Sequence, residues 1–283
     1  MTTMSRHRFS RLADQVMTYG VLSLVAGVSL FPILWGVLTS IKLPGDLVTY
    51  PPRWIPRSAT FVHYADVFLD SNMGRYFANS TLVSALTIFL TLLIGSHGGY
   101  AASRGRFRGK NALLFVILAT IMIPGISVLV PLYMLASRLN LLDTYLVLVL
   151  IYTAWQVPTV LWFMQGFFDA ISPELEEAAQ VDGCSALQAM YRVILPLTQP
   201  GLAAAAILVF VYVWNEFIIA LTMSTNDNMR MIPVGLYFYI SQFGVEWGKL
   251  MAAVTVAILP IVVLFIILQR RFIQGLTSGA IKG

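Results

Sequence analysis

Three histidines, one cysteine and thirteen carboxylates are the main stock from which acid–base, thiol or metal chemistry could be built in these 283 residues. His7, His63 and His97 are too scattered for a metal site, and neither an HExxH pattern nor a carboxylate pair occurs near a candidate membrane helix. His97, beside Gly98 and Gly99, reads as a helix-packing or interfacial histidine. Cys184 stands alone, which excludes an internal disulfide and a cysteine cluster; it reads as a small residue in a packed helix. No G-x-x-x-x-G-K-[ST] phosphate loop is present, so a nucleotide that drives this protein must bind another chain. The carboxylates fall into two informative places instead: a cluster at 172–196, and Glu216 inside an apolar run.

The cluster begins Ser172-Pro173-Glu174 and continues through Glu176, Glu177 and Asp182. Ser172 suits an N-cap and Pro173 a first helical position. The acids then complement the positive end of the helix dipole. Gly183 permits a bend or a close backbone approach. Beyond it Ala186, Leu187, Met190 and Ile194 recur at helical spacing until Pro196. An acidic helix pair with an apolar stripe marks a docking surface for a protein, or else an amphipathic helix lying on the membrane. Interfacial helices usually turn Lys and Arg toward anionic lipid, whereas this one carries three Glu, one Asp and one Arg, which favours protein docking.

A carboxylate at mid-bilayer costs roughly 2.5–3.5 kcal/mol on insertion scales, so Glu216 should face a cavity or a partner. With Trp214 and Asn215 it is a candidate contact on a solute path. A structural hydrogen bond to a neighbouring helix, or a position near the outer interface where the cost fades, accounts for it equally well.

The elements that position these residues are membrane helices. Hydrophobic residues make up 58% of the chain and charged residues only 11%, against about 25% in soluble domains. Too few charges remain to coat a water-facing globule. The net charge of +5 forms no basic patch interleaved with aromatics, which argues against nucleic acid. Crossing the hydrocarbon takes about 20 apolar residues, and six stretches qualify: 15–41, 76–103, 111–137, 144–168, 200–223 and 250–269. Glu216 is the one acidic or basic residue in any of them. The first is longer than a secretory h-region and no convincing cleavage site follows it, so it reads as an uncleaved span.

Arg6, Arg8, Arg11, Arg104, Arg106, Arg108, Lys110, Arg192, Arg270, Arg271 and Lys282 fall on one side, 11 of 18 basic residues. The positive-inside tendency then places both termini in the cytoplasm. Pro32, Pro124, Pro131, Pro158 and Pro260 lie within spans, where neighbouring groups can re-satisfy the freed carbonyls. Prolines and glycine break the loop 42–75, and the loop 224–249 either caps the bundle or meets a soluble partner.

Glu177-Ala178-Ala179, Gly183 and Val193-Ile194-Leu195-Pro196, at these separations and between two spans, resemble the EAA loop of bacterial ATP-binding cassette (ABC) importer permeases. Val193 stands where that pattern usually has Ile. Trp214-Asn215-Glu216-Phe217, Pro233-Val234-Gly235-Leu236 and the tail Gly275 to Gly283 extend the similarity to the carbohydrate-uptake, maltose-permease (MalG-like) branch over nearly the whole chain. His63-Tyr64 departs from the Asn-Tyr often found there.

The resemblance implies an all-α integral membrane protein with six transmembrane helices, the type I importer permease fold and cytoplasmic termini. Its parts would be an N-terminal region 1–75, a permease core 76–272 with the coupling helix at 172–196, and a C-terminal tail 273–283. It implies a multi-pass subunit of a bacterial cytoplasmic membrane that is not itself an enzyme. Its partners would be a second permease subunit, two ATPase subunits, an extracytoplasmic solute-binding protein and membrane lipid, with no nucleic acid. No cofactor would be bound directly; ATP and Mg would sit on the ATPase subunits. Glu177, Ala178, Ala179, Asp182, Gly183, Leu187, Leu195 and Pro196 would couple to the ATPase, and the tail after Arg271 would reach the same interface. The solute would be a sugar, or a sugar-like molecule such as a polyol or glycerol-3-phosphate derivative. An ion-coupled secondary transporter is the alternative, but it should carry ionisable pairs or inverted repeats at mid-membrane.

Overall fold

In the computed structural model, residues 3–241 and 244–280 are described, with side chains for 14–241 and 244–270. Apart from one two-stranded hairpin, the described chain is built from helices, turns and loops. Four helices are long and apolar enough to cross a membrane: Asp14–Ser40, Met73–Arg104, Tyr145–Asp169 and Trp247–Arg270. The number rises to six when each of two sharply bent helix pairs serves as one span.

The chain divides into two compact units. One comprises Met1–Ser71 and Tyr239–Val256; the other comprises Asn72–Phe238 and Ala257–Gly283. In the first unit α1, Thr3–Ser40, presents residues 14–34 exposed on every face. A helix apolar all round belongs in lipid or against another protein. Below it, Lys42 is buried, its ammonium 4.1 Å from the Trp35 ring centroid. His63 on α2, Val62–Phe68, places Nε2 3.0 Å from the Lys42 carbonyl, and Tyr64 shares a 2.7 Å hydroxyl bond with Ser40. The His-Tyr pair thus anchors this loop to the end of α1. The hairpin of β1, Ile240–Ser241, and β2, Gly244–Val245, pairs Ile240 with Val245 and leads into α13, Trp247–Ala280. The Gly275–Gly279 stretch belongs to the last helical turns of α13. Its side chains and residues 281–283 lie outside the described residues, as do the side chains of Arg6, Arg8 and Arg11.

The second unit is organised around α3, Met73–Arg104, and α6, Tyr145–Asp169. Lipid offers no hydrophobic drive for helix association, so close packing over small residues must supply it. A Cβ at Gly95 would stand 2.6 Å from Val160 Cγ1, and one at Gly99 would stand 2.9 Å from the Leu161 carbonyl oxygen. The two backbones therefore touch along this seam. Val83, Tyr152, Met164, Phe168, Val209 and Val213 continue the core onto α10, Gln199–Asn215.

Two expected spans are not single helices. The run 111–137 splits into α4, Lys110–Ile121, and α5, Gly125–Arg138, bent by 94°. Pro124 explains the break, because its ring drives the preceding residue out of helical conformation. Gly125 then lets Trp155 approach, since a Cβ there would lie 2.8 Å from the indole. The run 200–223 stops at Asn215 and restarts as α11, Ile218–Met223, with Glu216 extended at ψ 124°. The loop that follows includes α12, Ile232–Tyr237.

Candidate functional site

Segment 172–196 folds as a bent helical element. Ser172 Oγ accepts weakly from the Glu174 amide at 3.4 Å, and α7 runs Glu174–Val181. Gly183 follows at φ +89°, the left-handed conformation that only glycine adopts without strain. Ser185 and Gln188 form a capping box that starts α8, Ala186–Ala189. A π-type turn, Met190–Ile194, and the short α9, Leu195–Leu197, complete it. Helix therefore passes through Pro196 rather than ending there, with the widened turn accommodating the missing N–H. A 77° bend then joins this stretch to α10. Cys184, expected inside a packed helix, lies in the half-exposed turn after Gly183, and its amide donates to the Ala179 carbonyl at 3.0 Å.

Of the residues assigned to docking, Glu177, Ala178, Asp182, Gly183, Leu187 and Pro196 are exposed. Leu175 and Val181 add apolar area to the same element. Ala179 is buried within the chain, and Leu195 is half-buried against the core. The acid that sequence reasoning passed over is Glu176. It is buried, with its carboxylate between two donors from α3: the Tyr100 hydroxyl on Oε1 and Arg104 Nε on Oε2, at 3.0 Å for the latter. Arg104 Nη2 also donates to the Ile171 carbonyl at 2.8 Å, and Ser103 donates to Asp169 at 2.5 Å. One turn earlier on α3, His97 bonds to the Leu93 carbonyl and to the Tyr191 hydroxyl, at 2.7 and 2.8 Å. His97, Tyr100 and Arg104 follow i, i+3, i+7 spacing, a polar stripe at the end of an apolar helix.

The second candidate group does not assemble. Trp214 is buried, stacks on Phe210 and donates to the Ala257 carbonyl at 3.1 Å. Asn215 is exposed and turns back to Val211. Glu216 is half-buried and satisfied: its oxygens accept from the Ile219 and Ala220 amides at 3.0–3.1 Å and from the Tyr152 hydroxyl at 2.8 Å. This is what an acid at the start of a helix does, covering donors that lack an intrahelical partner. Glu216 also borders a cavity of about 180 Å³ with Trp155, Tyr212 and Gly125, where the two broken helices meet. A larger cavity of about 480 Å³ is lined by apolar side chains such as Ile121, Leu132, Leu150 and Ile151.

At the other end of α3, the loop after α11 is tied down by polar contacts. Asp227 accepts from Asn72, Tyr76 and Arg230, while Asn79 donates to the carbonyls of Asn228 and Arg230. The Tyr76 hydroxyl leads in holding the Asp227 carboxyl below the usual carboxylate range; burial opposes this, and Asn72 and Arg230 add to it. Asp143, at φ +58°, is also lowered: burial pushes it up, but the Asn226 amide and the Thr225 hydroxyl outweigh that.

Long apolar helices, two of them interrupted, and an acidic element exposing apolar side chains beside its charge define a multi-span membrane protein. Residues 88–278 match the family described as binding-protein-dependent transport system inner membrane component, and the chain belongs to that family. It is 36% identical over 254 residues to the sulfoquinovosyl glycerol transport system permease protein SmoH of Agrobacterium fabrum, covering 90% of this chain and 89% of SmoH. It is 35% identical to the trehalose transport system permease protein SugB of Mycobacterium tuberculosis, covering 92% and 95%. The trehalose/maltose transport system permease protein MalG of Thermococcus litoralis is 32% identical, covering 92% and 94%. Among solved structures, a bacterial ABC transporter that imports the acidic polysaccharide alginate superimposes with a TM-score of 0.80 at 22% identity, covering 93% of this chain and 98% of that one. The importer permease fold is thereby established.

Proposed function

We propose that this chain is one permease half of an ABC importer for a sugar or sugar-like solute. With a second permease it forms the translocation path, and an external binding protein delivers the solute. ATP and Mg are held by two separate ATPase subunits. They dock on the exposed face of α7 and the turn after it, through Glu177, Ala178, Asp182, Gly183 and Leu187, and both chain termini lie on that cytoplasmic side. The observation that carries this reading is the exposed acidic and apolar element centred on the left-handed Gly183. Relatives named for trehalose, maltose and sulfoquinovosyl glycerol transport support a carbohydrate cargo. A structure similar in fold holds an oligosaccharide-bound periplasmic protein, which supports delivery from outside. An ion-coupled carrier is not favoured: Glu216, the one acid expected within a span, already serves two backbone amides and a tyrosine.

Co-purification of the complex, followed by uptake of labelled trehalose or maltose into proteoliposomes, tests the reading. Uptake should require internal ATP and the binding protein and should ignore a protonophore. Uptake that follows an ion gradient without an ATPase subunit would overturn it.

A further inference from the structure

The covalent route from the docking element into the membrane runs through Leu195 and Pro196 to α10. A second route is built from side chains. The carboxylate of Glu176 is closed off on both oxygens by Tyr100 and Arg104 of α3, and Arg104 simultaneously holds the Ile171 carbonyl ahead of α7. The Tyr191 hydroxyl, on the far arm of the element, meets His97 one turn up the same face of α3. Both arms of the bent element are thus fixed to one helix.

We propose that Tyr100 and Arg104, acting through Glu176, are positioning residues that make α3 move as one body with α7, so that nucleotide-driven displacement of the docking element reaches α3 directly. This rests on the ATPase-docking reading above. An ion pair with one buried partner, as Glu176 is here, is weak evidence for stability, because apolar packing often replaces such pairs without loss; their better-attested use is to fix one geometry among several. Here that geometry is the angle between a docking helix and a span. The glycine seam then passes any displacement of α3 to α6, since the two backbones are in contact at Gly99.

The test uses the purified complex with its ATPase subunits. In a Cys184→Ser background, spin labels at Glu174→Cys and Ala78→Cys, both exposed positions, report the distance between α7 and the far end of α3. It is measured without nucleotide and after trapping with ATP and vanadate. With the strut intact, one distance persists in both states. In Glu176→Gln, and in the milder Tyr100→Phe, a second distance should appear on trapping, with the population ratio shifted about 2- to 30-fold. A merely structural contact would lower the yield of complex without making the distance depend on nucleotide. If the unsubstituted complex itself shows the two distances on trapping, α3 does not follow α7 and the proposal fails. It fails too if both variants keep a single distance. Should Glu176→Gln not assemble, the intact complex and Tyr100→Phe decide. Absence of any ATPase subunit, or of trapped nucleotide, strikes the parent reading instead and is seen before any distance is measured.

Discussion

Removing the carboxylate of Glu216 should damage the bundle through two named groups. In Glu216→Ala, α11 loses the acceptor for its first amides, a capping loss of about 0.5–2 kcal/mol. The Tyr152 hydroxyl, fully buried, loses its 2.8 Å partner, which costs about 1–3 kcal/mol more. A total destabilisation of about 2–4 kcal/mol follows, because the two losses share one carboxylate and do not simply add. Tyr152→Phe removes the hydroxyl, whose other contact is the Met231 sulfur at 4.0 Å, and isolates the inter-helix bond. Side-chain hydrogen bonds between membrane helices average about 0.6 kcal/mol in such cycles and reach about 1.7, which brackets the coupling expected of this pair. The four proteins of the cycle, unfolded reversibly in mixed micelles, supply the coupling. Full additivity within error would refute the assignment of Glu216 as the brace of the break, and uptake lost without any loss of stability would point to the solute path instead.

Gly183→Trp should leave membrane insertion intact yet separate ATP hydrolysis from uptake: the space around it is open within the chain, but φ +89° strains any other residue and disturbs the bend; normal uptake would contradict the proposed docking role. Gly99→Leu must force the α3 and α6 backbones apart and should destabilise by about 1–3 kcal/mol, read as a lower unfolding midpoint of the purified protein. Asp227 titrates below its ordinary 3.8, so its contribution is complete above that pH and is lost as pH falls through the lower folded value. Hydrogen exchange across 224–238 should therefore accelerate only below about pH 4, and Asp227→Asn should show the faster exchange at neutral pH.

Six apolar runs were legible because lipid imposes a length that composition alone can satisfy. What they concealed was continuity. Pro124 sits in the middle of an uninterrupted apolar stretch, and the 94° bend it produces changes no residue's hydropathy. The break at Glu216 lacked even a proline; its sequence signal was an acid placed three and four residues before the amides it caps. In the element 172–196, Ser172, Pro173 and Gly183 announced the start and the bend. No local signal separated Glu176 from Glu177, because the partners of Glu176 lie 72 and 76 residues away. The stripe His97, Tyr100, Arg104 was the available hint. It announces that the end of α3 faces something polar, though not which carboxylate. The EAA-like pattern drew attention to Glu177, Ala178 and Gly183, which are exposed, whereas the acid holding the element in place is the buried Glu176.

The glycine seam between α3 and α6 bears on how this bundle can change shape. Ordinary helix pairs slide because flexible side chains between them can exchange rotamers and act as a lubricant. At Gly99 that layer is missing: the Leu161 carbonyl oxygen and the Gln165 amide nitrogen lie 2.9 and 3.0 Å from where a methyl would sit. Shear along that line would drive backbone into backbone, which favours the two helices turning together. Rotation imposed from either end would then be taken up where the helices are broken: after Ile121, at the 77° bend before α10, and after Asn215.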